Sequence, residues 1–440
     1  MTTNHTIAEQ NTDDFAGRQL LNQHRPEQVL RPTSAAQVVE AVRSAADAGH
    51  QIAVQATGHG RARGISGGTL ILTAELDHVR VDPERRTARI AAGVRWEAVI
   101  AAAARHGLAP LSGSAPSVGA IGLTLGGGFG LMSPRFGYAA DHVRAIDLVT
   151  PDGRFRRVTA QSDPDLFWAL RGAGAYFGVV TAIEIDLFPV EQVVGGTVSY
   201  DLAADPDVLH RWQDWCTEQP SHLLAAATVV AIPDLPTVPE PMRGRLIANL
   251  HLACTDTTMA IDEAADALRN LGRPLTDSIT TLPYARSGEI FAEPDSPGGY
   301  RGSGWLLDRL PTAALTELPE QLHGQSTTSV IGIRRLGGAM VTPPAVPNAI
   351  GHRAAEWSLG VLSPVAAGDD PTSVRTKHDQ LLWPWRPSMI GRALNFTFDE
   401  LTPDQVGQCW DTGALPRLCA LRSAIDPDRM MITNHRLPES

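Results

Sequence analysis

From Pro32 to Pro189, short apolar runs alternate with stretches whose apolar residues recur at helical spacing. "SAAQVVEAVRSAADAG" opens on a serine start signal, carries one apolar face and stops at Gly49, which predicts a helix. "QIAV" follows as a short buried strand, and "GTLILTAEL" and "TARIAAGV" read as two more. "RWEAVIAAAARHG" predicts a second amphipathic helix, again closed by glycine. In "AIDLVTPDGRFRRVT" two strand-like runs flank Pro151-Asp152-Gly153, a hairpin with that tripeptide as its turn. Together these predict a mixed α/β domain.

From Val190 to Ile390 the texture changes. Five runs read as strands: "LLAAATVVAI", "RLIANLHLACT", "TSVIGIRRLGG", "AAEWSLGVLS" and "IGRALNFTFDE". Helical or proline-rich stretches separate them, an order that predicts an antiparallel sheet covered by helices on one face and makes the expected class α+β. "IPDLPTVPEPM" and "VTPPAVPNA" read as surface loops, and His352-Arg353 as the beginning of a strand. Strand alternation then sorts the faces. Leu246, Ala248, Leu250 and Leu252 take the packing side, leaving Asn249 and His251 opposite. Trp357, Leu359 and Val361 do the same for Glu356 and Ser358, and Arg334 and Asn395 would join that free face.

Composition narrows the classes. At 440 residues the chain is too long for one simple core. No apolar run reaches the roughly 18 residues of a membrane span, and "MTTNHTIAEQNTDDF" has neither a basic nor an apolar leader region. A cytoplasmic protein without a membrane partner is expected. A net charge of -11 argues against a nucleic-acid surface. Cys216, Cys254, Cys409 and Cys419 form no CxxC pair, so neither a disulfide framework nor a metal site is expected. Lys377 is the only lysine, a bias that suggests a GC-rich bacterial genome and argues against a lysine base.

Two glycine-rich stretches carry the chemistry. The first, "QATGHGRARGISGG", holds His59 between Gly58 and Gly60; the second is "SGSAPSVGAIGLTLGGGFG", Ser112 to Gly130. Neither follows the strand-GxGxxG-helix pattern of a nicotinamide site. Two such loops on one α/β domain offer many backbone N–H groups, suited to a pyrophosphate. A flavin dinucleotide fits them better than a nicotinamide one.

These stretches, with "RFGYAADHVRAIDLVTPDGR", "DPDLFWALRGAGAYFGVVTAIEIDLFPV" and the tail "NFTFDE…LPRLCALRSAIDPDRMMITNHRLP", resemble the FAD-linked oxidases of the berberine bridge enzyme group, within the vanillyl-alcohol oxidase (PCMH-type) superfamily. The likeness is dense from Arg31 to Val190 and thin from Val190 to Glu320. It implies a two-lobed PCMH-type FAD-binding domain over 26–190 behind an N-terminal arm at 1–25. A substrate lobe over 191–390 and a closing segment over 391–440 that returns to the FAD domain would follow. It implies FAD on Ala56, Thr57, Gly58, His59, Gly60 and Arg61 of the first loop. From the second loop it implies Ser114, Ser117, Val118, Gly119, Gly122, Gly126, Gly127, Gly128 and Gly130, with Val180 and Asn395 from elsewhere. His59 matches the histidine joined to the flavin 8α-methyl. Ala115 stands where many relatives have a cysteine, so a single link and no cysteinyl bond is expected. Tyr176 replaces an asparagine, and Phe129 and Phe396 leave two positions near the expected flavin without a phenol. Asp141 is expected to brace the glycine loop rather than catalyse.

The activity implied is transfer of a hydride from a small organic substrate, an intermediate of natural-product metabolism, to flavin N5, with dioxygen as acceptor. His251 and Glu356 are the best side-chain types for a base, with Asn395 a third catalytic candidate. Two other classes remain open: a flavoprotein that steers a cyclisation or rearrangement without net redox, and a small-molecule sequestering protein. A monomer or homodimer is expected.

Overall fold

The computed structural model describes residues 15–256, 261–322, 329–366 and 368–438; most of the expected N-terminal arm, residues 1–14, lies outside the described residues. β1 (Gln28–Leu30), β2 (Ile52–Gln55) and β3 (Thr69–Leu72) form a small parallel sheet in the order β1-β3-β2. β4 (Val79–Asp82), β5 (Thr87–Ala91), β6 (Val143–Val149), β7 (Phe155–Val158) and β8 (Val179–Asp186) form an antiparallel one, ordered β4-β5-β8-β6-β7. β6 and β7 are the hairpin read around Pro151-Asp152-Gly153, with Gly153 at φ +69°.

Helix α1 (Ala35–Asp47) is started by the Ser34 side chain, which accepts a hydrogen bond from the Gln37 N–H, and the chain leaves it through Gly49 at φ +67°. It buries Val38, Ala41, Val42 and Ala45. Helix α2 (Trp96–Ala104) buries Trp96, Val99, Ile100 and Ala103 in the same core, and α3 (Ala120–Leu125) follows inside the second glycine stretch.

Among the described residues the third sheet has nine strands: β9 (Gln192–Asp201), β10 (Leu224–Ala231), β11 (Leu246–Cys254), β12 (Thr276–Asp277), β13 (Thr280–Pro283), β14 (Tyr300–Leu307), β15 (Val330–Arg335), β16 (Trp357–Pro364) and β17 (Met389–Arg392). The path runs β12-β9-β11-β10-β15-β16-β14-β17, with β13 also on β9. Helices Val208–Glu218, Ile261–Arg269, Thr312–Leu322 and Pro371–Leu382 cover one face. There Trp212, Leu250, Leu268, Leu315, Leu359 and Leu381 share one buried cluster. The packing side assigned to β11 and β16 from alternation is the side observed.

Several local expectations change. β9 and β14 were not anticipated. "IGRALNFTFDE" is a strand only to Arg392; Leu394–Phe396 is a 3-10 turn. His352 begins no strand but sits at φ +55° in a turn closed by the Ala355 N–H on its carbonyl. The chain's tail packs back on the first lobe, with Leu418, Met431 and Leu437 in its core and Met431 bridged to Ile52 on β2.

Candidate active site

The first glycine loop leaves the C-terminal end of β2. Gly58 lies at φ +74°, and a Cβ there would sit 3.0 Å from Gln55 Oε1, so only glycine fits without strain. Gln55 donates to the Phe15 carbonyl and accepts from Arg61 Nη1 at 2.7 Å. Arg61 also donates to the Gln19 carbonyl and is buried, so it props the loop from behind rather than reaching outward. Among the described residues the N–H groups of Gly58, His59, Gly60 and Arg61 make no hydrogen bond, and Gly60 has open space where a Cβ would lie. Unspent amides beside a bare glycine make a cradle for an anion.

The His59 ring is anchored at one nitrogen. Nδ1 lies 2.9 Å from Thr57 Oγ1, whereas Nε2 makes only a 3.5 Å contact with Ser117 Oγ of the second loop. Burial, and then the Arg18 charge, lower its pKa to about 4, so at neutral pH the imidazole is uncharged with a lone pair available. Its carbonyl accepts from the Tyr300 hydroxyl at 2.6 Å. Asn434, from the tail, donates to the Gly60 carbonyl at 2.7 Å and accepts from the Ala62 N–H. Residue-type reasoning passed over Tyr300 and Asn434, because both act on the loop backbone from far along the chain.

The second loop presents Ser117 toward the first and Ser114 toward the large sheet, then turns through Gly119, the residue before α3. Gly122 faces open space. At Gly126 a Cβ would fall on Asn395 Oδ1, and Asn395 Nδ2 donates to the Leu123 carbonyl at 2.9 Å. Asn395 therefore clamps the loop from its turn and does not line the sheet face. Gly127 and Gly128 take φ +101° and +70°. Gly130 is closed by the Ser112 carbonyl, so it serves loop packing, and Val118 offers its carbonyl to the Trp96 N–H. Val180 is buried in β8 at a register shift against β6. Asp141 accepts from the Tyr138 N–H and pairs with Arg353 at 2.5 Å, tying the segment after the glycine triplet to the turn at His352. Tyr176 packs edge-on against Phe177 and Trp410 and makes no hydrogen bond among the described residues.

The helix-free face of the large sheet meets these loops. Arg334 on β15 donates through Nη2 to Ser114 Oγ at 2.9 Å, and Ser114 also bonds Glu293. Its guanidinium carbon lies 4.6 Å from the Phe291 ring centre and 5.6 Å from that of Phe396, which itself contacts Phe129 at 4.9 Å. His251 is on this face as alternation required, but it is enclosed: it stacks on Phe291 at 4.1 Å, with Nδ1 2.8 Å from Thr197 Oγ1 and Nε2 3.0 Å from Thr228 Oγ1. Burial, and then the Arg334 charge, depress its pKa to about 3. Glu356 corrects the expectation: it adjoins the start of β16, its backbone bonded to Leu307 and Leu336, and its side chain is exposed rather than enclosed.

Residues 26–159 match a family described as an FAD binding domain. The chain is 28% identical over 435 residues to (R)-6-hydroxynicotine oxidase of Paenarthrobacter nicotinovorans, covering 94% of this chain and 91% of that protein. It is 25% identical over 354 residues to an FAD-linked oxidoreductase of Dictyostelium discoideum, covering 79% and 75%. Among solved structures, 6-hydroxy-D-nicotine oxidase of Arthrobacter nicotinovorans superposes with a TM-score of 0.86 at 23% identity, over 100% of this chain and 98% of that one. A chitooligosaccharide oxidase gives 0.84 at 20%, over 100% and 97%. Residues 26–159 are thus an FAD binding domain, and the chain, matched to its relatives over most of its length, is an FAD-linked oxidoreductase.

Proposed function

We propose that the protein is an FAD-dependent oxidase with the flavin joined to His59 alone. Bound FAD would accept a hydride at N5 from a small organic substrate and pass the electrons to dioxygen, which leaves as hydrogen peroxide. The observation that carries the reading is His59 itself: a neutral imidazole, held at Nδ1 by Thr57, with Nε2 as the nitrogen left for a bond. The open amides from Gly58 to Arg61 suit the pyrophosphate, and Asn395 and Asn434 hold the two loops in register around it. Ala115 offers no sulfur, so one link is the complete set at these loops. A relative matched along most of its length carries the name oxidase, which supports the same acceptor here.

The chain's own groups fix the hydrogen bonds the substrate would meet. Thr197 spends its one hydroxyl proton on the Ile290 carbonyl at 2.8 Å, so it accepts from His251 Nδ1–H. Nε2 is then an acceptor and takes the Thr228 hydroxyl proton. Burial disfavours the imidazolium, so His251 orients Thr228 and does not store a proton.

The test needs no substrate. Purified protein is reduced with dithionite without oxygen and then mixed with air-saturated buffer. An oxidase reoxidises faster than free FAD run alongside and releases one peroxide per flavin. Slower reoxidation than free FAD would favour a catalyst or binding protein without oxygen turnover.

A further inference from the structure

Register across the helix-free face shows something that no single strand shows. Gly332 on β15, Gly360 on β16 and Gly304 on β14 are directly opposite one another, three bare positions in one row. Thr228 on β10 continues that row beside Gly332, and Arg334 stands in the next row, paired with Ala226 and Ser358. Phe396 lies over Gly304. Gly332 has nothing within 4 Å of a Cβ position, and Gly360 has only the Gly332 carbonyl at 3.9 Å. Neither has a positive φ. Backbone conformation and packing would therefore admit a side chain at both positions, and glycine inside a strand costs stability. What these residues preserve is empty space above a flat floor.

The groups around that floor are polar and directed. Arg334 Nη1 is buried and has no hydrogen-bond partner among the described residues, while Nη2 is tied to Ser114. Its nearest carboxylate, on Glu293, is 3.7 Å away and itself 42% exposed, too loose a partner to satisfy the fork. Phe291 and Phe396 hold the guanidinium plane. Thr228 gives its proton to His251, so its oxygen offers only lone pairs to the cleft. The cleft thus has one fixed cationic donor and one fixed acceptor, on adjacent strands, beside a floor without side chains.

Resting on the oxidase reading, we propose that the substrate is a flat aromatic or heteroaromatic molecule bearing an anionic oxygen. Its ring lies on Gly332 and Gly360, its anionic oxygen accepts from Arg334 Nη1, and a hydroxyl or N–H of the molecule donates to Thr228 Oγ1. Two aromatic side chains at the edge and the open row suit a planar ring over a puckered one. A cationic amine would face the guanidinium without a partner.

Calorimetric titration of the protein as purified, flavin included, tests this with 4-hydroxybenzoate, benzoate, benzamide and cyclohexanecarboxylate. The expected order places 4-hydroxybenzoate first and benzoate second, each at least tenfold tighter than benzamide or cyclohexanecarboxylate. Arg334→Met should weaken 4-hydroxybenzoate at least tenfold, equivalent to about 1.4 kcal/mol, with flavin content unchanged. Gly332→Val and Gly360→Val should keep or raise the melting temperature, since valine favours strands, yet lose the probe at least tenfold. Equal binding of the four probes, no binding of any, or unchanged affinity in the valine variants would overturn the assignment. So would an Arg334→Met protein that loses flavin but binds the probe as before, because the guanidinium would then serve the cofactor. A protein that retains flavin and passes the peroxide test while failing these titrations would sink this inference alone.

Discussion

Gly126→Ala is the sharpest structural perturbation of the flavin loops. Gly126 has an ordinary negative φ of -86°, so alanine meets no backbone penalty there. The added methyl would instead land on Asn395 Oδ1 and lie 2.8 Å from its Cγ and 3.1 Å from its Nδ2, inside the ~3.5 Å at which carbon atoms rest. The amide must move, and its 2.9 Å bond to the Leu123 carbonyl goes with it. Overpacking of this kind costs about 1–3 kcal/mol and the lost hydrogen bond about 0.5–1.5 kcal/mol, so about 1.5–4.5 kcal/mol together. Asn395→Ala alone should cost only the hydrogen bond. In the double variant the methyl meets no amide, so its stability should match Asn395→Ala, a coupling of at least about 1 kcal/mol. Urea midpoints of the four proteins, read with flavin occupancy, check the cycle. A Gly126→Ala cost below about 0.5 kcal/mol, or strictly additive effects, would refute the clamp.

Other outcomes follow from the same geometry. His24, His378 and His435 are held neutral by burial at pKa values of about 4, and His251 at about 3. Unfolded histidine titrates near about 6.5, so the unfolded chain binds more protons below that value. Stability present above pH ~6.5 should be lost as pH falls toward ~4; a urea midpoint flat from pH 7 to ~4.5 would contradict this. Arg353→Met strands the Asp141 carboxylate, which is 7% exposed, and should cost about 3–5 kcal/mol, with Asp141→Asn in the same chain restoring part of it in thermal melts. His251→Ala should lower kcat about tenfold by freeing the Thr228 hydroxyl while the acidic limb of the pH profile stays in place. A loss of about a thousandfold with that limb abolished would instead mark His251 as the proton acceptor.

The first lobe was legible because its signals are local. Ser34, Gly49 and the Pro151-Asp152-Gly153 turn act within a few residues of the elements they bound, and α1, α2 and the β6–β7 hairpin form where they predict. Strand parity also survived on β11 and β16, since burial of Leu250 and Leu359 fixes which side faces the helices. β9 and β14 were missed because "VVGGTV" and "RGSG" lower strand propensity, and pairing on both sides overrides it. Asn395 was misplaced by extending alternation past the real strand end at Arg392. The glycine row was beyond any one-dimensional pattern, because Gly304, Gly332 and Gly360 become neighbours only through register. The Tyr300 and Asn434 contacts with the first loop depend on tertiary closure in the same way.

Acid precipitation of purified protein followed by peptide mapping tests directly whether the flavin is bound through His59. The expected result is a yellow pellet, flavin mass on the peptide containing His59 and on no other, and a colourless pellet for His59→Ala. Flavin released entirely into the supernatant of the unmodified protein would contradict it.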